Sequence, residues 1–117
     1  MLRISVAAIS FLIFLPSTAV AFSEIRDQAD FVDFLSGKTL RRLGISLNVA
    51  PTGNISGRAF GRSVTGSWIW SDGFFCRELY FGTRNLGPNC QLIQVDGKTV
   101  RFISDRGTGP YADFKVD

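Results

Sequence analysis

Apolar residues follow three successive rhythms along this chain, and each rhythm predicts a different kind of segment. The first is an almost unbroken apolar run from Ile4 to Leu15, preceded by Arg3 and followed by Pro16 and the small-residue sequence Ala19-Val20-Ala21 ahead of Phe22. A basic start, a short apolar core and a small-x-small end are the signature of an export signal cleaved after Ala21. The alternative is a retained anchor, which needs about 20 apolar residues, more than this run supplies. The second rhythm has a spacing of three and four. Ile25, Ala29, Val32 and Leu35, joined by Phe31 and Phe34, share one side, with Asp27, Asp30 and Asp33 toward the other. That pattern predicts an amphipathic helix over residues 24–36, capped by Ser23, with acids near the positive end of its dipole and Gly37 as its stop.

From Lys38 onward the period is two, the mark of half-buried strands. Ile45, Leu47 and Val49 alternate with Ser46 and Asn48, and Pro51, Gly53 and Asn54 turn the chain into a strand carrying Ile55, Gly57 and Ala59. Val64, Gly66, Trp68 and Trp70 form the next inward set, which favours the two tryptophans as core over a ligand platform. Asp72-Gly73 and Asp96-Gly97 are tight hairpin signals, because Asp-Gly supplies the positive φ that primed turns require. In residues 74–81 both faces are rich in large side chains: Phe74, Cys76 and Tyr80 on one, Phe75, Leu79 and Phe81 on the other. That strand is expected to be central or covered on both sides. Residues 82–89, with two glycines and Pro88, predict a loop, residues 90–95 and 99–104 two further strands, and residues 111–116 a last one. About seven short strands with tight connections predict a small antiparallel β-barrel or a two-layer sandwich. We favour the barrel, one end sealed by the helix, because closure removes exposed edges. The organisation is therefore a cleaved signal (residues 1–21), an amphipathic helix packing on the β domain (22–37) and an antiparallel β domain (38–117).

Removal of 21 of the 117 residues leaves 96, a single small domain that gains from a covalent staple. An exported chain with an even count of two cysteines predicts the disulfide Cys76–Cys90. A two-thiol metal site is the competing reading, but it lacks any His and any second cysteine pair. The loop from 76 through 90 includes 15 residues, and closing it is worth about 3 kcal/mol in the chain-entropy model. Charge is unevenly spread. Residues 22–36 hold four acids against Arg26, net −3, whereas residues 37–117 hold 11 basic and 6 acidic residues, net +5, with 8 of the 11 being Arg. This balance either lets an acidic helix complement a basic β body or turns an Arg-rich face toward an anionic partner.

The chain has no His, which rules out Ser-His-Asp and Cys-His catalysis and the common His-ligated zinc sites. Neither of its glycine-rich pieces, residues 57–61 and 107–109, matches a dinucleotide fingerprint or a P-loop. No metal and no cofactor is expected. Asp72 and Asp105 fall in turns. Glu78 is the one acid placed within a strand whose face, if inward, would bury it and demand an Arg partner such as Arg77 or Arg101. Arginines interleaved with aromatics form the candidate binding surface: Arg58, Arg62, Arg77, Arg84, Arg101 and Arg106 with Trp70 and Tyr80.

The stretch Gly66-Ser67-Trp68-Ile69-Trp70-Ser71-Asp72-Gly73-Phe74-Phe75-Cys76-Arg77, with Cys90-Gln91-Leu92 after it, resembles a family of short exported bacterial proteins. Phe34 to Leu40 and Val100 to Gly109 extend the likeness over nearly all of residues 22–117. Members often carry the label dihydrodipicolinate reductase. The resemblance implies an exported β domain, and the label, taken literally, would imply a nicotinamide-dependent reductase. No nucleotide-binding glycine turn or catalytic His can be placed in this chain to serve that reaction. The residues favour a non-enzymatic periplasmic or secreted binding protein, with an envelope protein, a glycan or a small anionic ligand as partner. Nucleic acid is not expected, nor is a transmembrane segment after cleavage. The alternatives are the labelled enzyme and a small inhibitor of an envelope hydrolase.

Overall fold

The computed structural model describes residue 5, residues 7–13 and residues 21–117. Of the expected export signal only Ser5, residues 7–13 and Ala21 are thus described. They are exposed and carry no regular secondary structure. The rest of the signal, including Arg3, Pro16, Ala19 and Val20, lies outside the described residues.

The period-two segments build β2 (Leu40–Arg42), β3 (Ile45–Val49), β4 (Asn54–Ala59), β5 (Arg62–Ser71), β6 (Phe74–Phe81), β7 (Arg84–Asp96), β8 (Thr99–Ile103) and β9 (Tyr111–Val116). Each pairs antiparallel with the next, and β9 returns to β2, so the eight strands close into an up-and-down barrel. Closure rather than a sandwich follows from that last pairing, and the wall has one strand more than the expected seven. Glycines allow the curvature. A Cβ at Gly57 would stand 2.1 Å from the Ser46 carbonyl oxygen, and one at Gly66 2.1 Å from that of Glu78, so both strands bend where only a bare Cα fits. The expected turn at Asp72-Gly73 is present, with φ of 53° and 80°. At the β7–β8 hairpin Asp96 instead pairs with Thr99, and the turn falls on Gly97 and Lys98.

Two expectations need correction. The helix does not begin at Glu24 with a Ser23 cap. Residues Ser23–Ile25 form a short strand, β1, paired with Ile93, Gln94 and Val95 of β7, and the helix α1 spans Gln28–Leu35, with Asp27 at its N-cap making no side-chain capping bond. The reason is the edge of β7 left uncovered because β6 begins only at Phe74. Beyond Gln91 that side of β7 needs partners for its backbone, and Ser23–Ile25 supply them while placing Ile25 on Ile93. Residues 82–89 are likewise not a loop. Gly82 and Thr83 make a two-residue turn and β7 begins at Arg84. Pro88 is tolerated because it faces the irregularity between Glu78 and Tyr80, and β8 pairs with β7 only from Leu92 onward.

The helix closes the barrel end that carries the turns at Gly53, Asp72 and Gly97. Phe31, 1% exposed, sits 5.0–5.4 Å from the rings of Trp68, Trp70 and Phe75, and Leu35 is buried beside it. Trp68 Nε1 donates to the Ala50 carbonyl at 2.9 Å and Trp70 Nε1 to the Arg26 carbonyl at 3.0 Å, so both indoles are satisfied as they become core. Ile55, Ile93, Val100, Phe102, Phe114 and Val116 complete the interior. No helix among the described residues is long and apolar enough to cross a membrane.

Candidate ligand-binding cavity

Strand parity decides which side chains can meet inside the barrel. Trp68 and Trp70 point in from β5, and their partners Arg77 and Phe75 do so from β6, so the inward row of β6 is Phe75, Arg77, Leu79 and Phe81. Its outward row is Phe74, Cys76, Glu78 and Tyr80. This corrects the possibility that Glu78 is a buried acid: it is exposed on the outer wall. The disulfide is on that wall too. Cys76 and Cys90 are direct cross-strand partners with Cα atoms 3.9 Å apart, and both are half-buried in a shallow depression bordered by Ser67, Ile69, Pro88 and Asn89.

Above the helix, the interior keeps a cavity of about 190 Å³. Its walls are apolar: Leu40, Leu47, Val49, Ile55, Phe75, Leu79, Phe102, Ala112 and Phe114 surround two polar side chains, Arg77 and Gln91. Gln91 is buried and donates to the Ser104 hydroxyl at 3.3 Å. Arg77 is half-buried and donates from one terminal nitrogen to the Gly87 carbonyl at 2.7 Å. A guanidinium carries five N–H donors, so that bond leaves most of its capacity for other acceptors. Among the described residues no carboxylate pairs with it. Burial pushes its pKa below the usual value for arginine, yet the group remains a cation at any ordinary pH. Half-exposed Arg77, Leu79 and Ala112 put the cavity within reach of solvent away from the helix.

Two further arginines stand at that end. Arg42 has the inward parity of Leu40, and its guanidinium lies 5.6 Å from the ring of cavity-lining Phe114. Arg62 has the inward parity of Val64 and lies 5.5 Å from Phe81. An anion approaching the open end therefore meets positive charge before it meets apolar wall.

The candidate surface residues do not form one patch. Arg58, Arg62 and Arg84 lie at or beside the turns of the open end, while Arg77 is inside. Arg101 faces outward, bonded through Nε and a terminal nitrogen to Asp113 at 2.8 and 3.0 Å and held between the rings of Phe22 and Tyr111. Arg106 lies over Phe74 on the outer wall, Tyr80 is exposed on that wall, and Trp70 is occupied by the helix. Asp105 is structural, exchanging bonds with Asn89 at 2.8 and 2.9 Å. Reading the sequence for charge missed Arg42 and Gln91. The signal for both was parity: Gln91 shares the inward row with Ile93 and Val95, as Arg42 does with Leu40. No protein-family model, curated protein or solved structure matches the chain.

Proposed function

We propose that the chain is an exported, non-enzymatic binding protein of the cell envelope, and that its barrel holds a small ligand with an apolar body and an anionic group. The observation that carries this reading is Arg77, a half-buried cation without a carboxylate partner among the described residues, set in the wall of an otherwise apolar cavity. A desolvated charge with incomplete compensation costs stability, and an anion brought to it recovers that cost with directional, charge-assisted bonds. The volume sets the size of the ligand. An apolar hole of about 150 Å³ accepts benzene, so about 190 Å³ suits a short aliphatic or single-ring acid and excludes a dinucleotide. The disulfide supports an address outside the reducing cytosol.

Thermal unfolding of the full chain with hexanoate or benzoate, against hexanol or benzyl alcohol, tests the reading. The acids are expected to raise the melting temperature in a concentration-dependent manner and the neutral alcohols to raise it less. In Arg77→Met the advantage of the acids disappears while the unliganded protein melts no lower, since an uncompensated charge has been exchanged for an apolar side chain. Equal stabilisation by acid and alcohol, or none by either, would sink the proposal.

A further inference from the structure

Two hairpin tips of the open end carry side chains that their turns do not ask for. The β4–β5 hairpin turns on Phe60 and Gly61, with φ of 51° and 79°. That geometry favours Gly, Asn or Asp at both positions, and a phenylalanine in left-handed backbone is a genuine outlier. Phe60 lies against the bare Cα of Gly44 and accepts a local restraint there, its N–H donating to the Gly44 carbonyl at 2.8 Å. Even so, it remains 72% exposed, and Leu43, the other residue of the neighbouring tip, is 95% exposed. Two large apolar side chains thus project side by side, one of them in a conformation its residue type disfavours. Backbone strain retained for an exposed side chain points to a use for that side chain.

The charge around these tips is mainly positive, the nearby carboxylate of Asp113 being paired with Arg101. No acid occurs between Asp33 and Asp72, and the tips and their flanks contribute Arg42, Arg58 and Arg62, with Arg84 beside the adjoining turn at Gly82. Arg58 donates to the Gly61 carbonyl at 3.2 Å, which holds its charge at the same tip as Phe60. Helix α1, with Asp27, Asp30 and Asp33, lies at the opposite end. The molecule is therefore polarised along the barrel axis, and the apolar projections coincide with its positive pole.

We infer that this end of the barrel docks on an anionic phospholipid surface, with Phe60 and Leu43 entering the interface and Arg42, Arg58, Arg62 and Arg84 meeting the headgroups. Convex tips bearing apolar side chains within a ring of arginines match a lipid interface, which has no fixed shape to complement and supplies both acyl chain and negative charge.

The test is sedimentation of the full chain with vesicles of phosphatidylcholine containing three parts in ten phosphatidylglycerol, compared with pure phosphatidylcholine. Binding is expected to the anionic vesicles and to fall about tenfold or more when Phe60→Gly and Leu43→Ser are combined. Glycine suits the left-handed turn, so this variant keeps the wild-type melting temperature and the loss is one of contact, not of fold. The apolar residues 7–13 could hold a vesicle by themselves, so a second readout is needed. Brominated lipid is expected to quench the fluorescence that Phe60→Trp adds, while buried Trp68 and half-buried Trp70, both at the opposite, helix-capped end, stay unquenched. Sedimentation without quenching of the introduced indole, or undiminished binding by the double variant, overturns the inference. So does wild-type retention on dextran sulfate that the double variant matches in full, since the site would then serve a soluble polyanion.

Discussion

Arg101 shows how much one surface side chain can tie together when its partners come from separate segments. It makes a two-bond ion pair with Asp113 across the β8–β9 ladder, and its guanidinium lies 3.9 Å from the Phe22 ring centre and 4.0 Å from that of Tyr111. The hydrogen bonds from Arg101 hold the Asp113 carboxyl below its usual pKa. A carboxylate depressed in the folded state contributes stability that is complete above its unfolded value, about 3.9, and is lost as pH falls through the folded value. Urea midpoints of wild type and Asp113→Asn should therefore differ by a constant amount from neutrality down to about pH 5 and converge below about pH 4. A gap unchanged at pH 3 would show that the pair contributes nothing through charge. Legibility varied at this scale. Asp72-Gly73 announced its turn because backbone conformation there follows residue type. Arg77 could not be assigned to the interior, because residues 74–81 carry bulky side chains on both faces and alternation alone does not say which face the barrel encloses.

Among the elements, the helix was legible as a helix but not in extent. Ser23 and Ile25 fit either a helical start or a two-residue alternation, and the free edge of β7, which lies far away in sequence, decides for the strand. What the helix contributes is concentrated in Phe31, the centre of an aromatic cluster with Trp68, Trp70 and Phe75. Phe31→Ala should cost about 3–5 kcal/mol, measured by denaturant unfolding, because the plug leaves a void that three rigid rings cannot fill. A loss below about 1 kcal/mol would mean that the helix rests on the barrel without supporting it. The β6–β7 hairpin was the harder reading. Gly87 and Pro88 argue for a loop in isolation, and only the bulge opposite them and the unpaired outer edge make a strand tolerable. The disulfide survived that change of surroundings, since Cys76 and Cys90 become neighbours whether the intervening residues form a loop or a ladder.

For the whole molecule, the antiparallel meander and its closure were foreseeable from short period-two segments joined by tight turns. The closing pair could not be read from periodicity, because it joins strands from opposite ends of the β domain. Seven of the eight wall pairings join consecutive strands, and the eighth, between β2 and β9, rests on the residue pairs Leu40–Val116 and Arg41–Lys115. It is reinforced by two backbone bonds between Thr39 and Asp117, at 2.9 and 3.0 Å, and by the ion pair of Arg41 with Asp117 at 3.2 Å. Amide exchange should accordingly be faster at Thr39, Arg41 and Asp117 than in the centre of β5 and β6, which share eight residue pairs. Uniform protection around the wall would refute a weak seam. The same arrangement bears on when the fold can exist at all. Because β2 has to wait for Val116 and Asp117, a growing or truncated chain that stops short of them is an open sheet with two unsatisfied edges. The barrel therefore stays threadable until Val116 and Asp117 are available to close it.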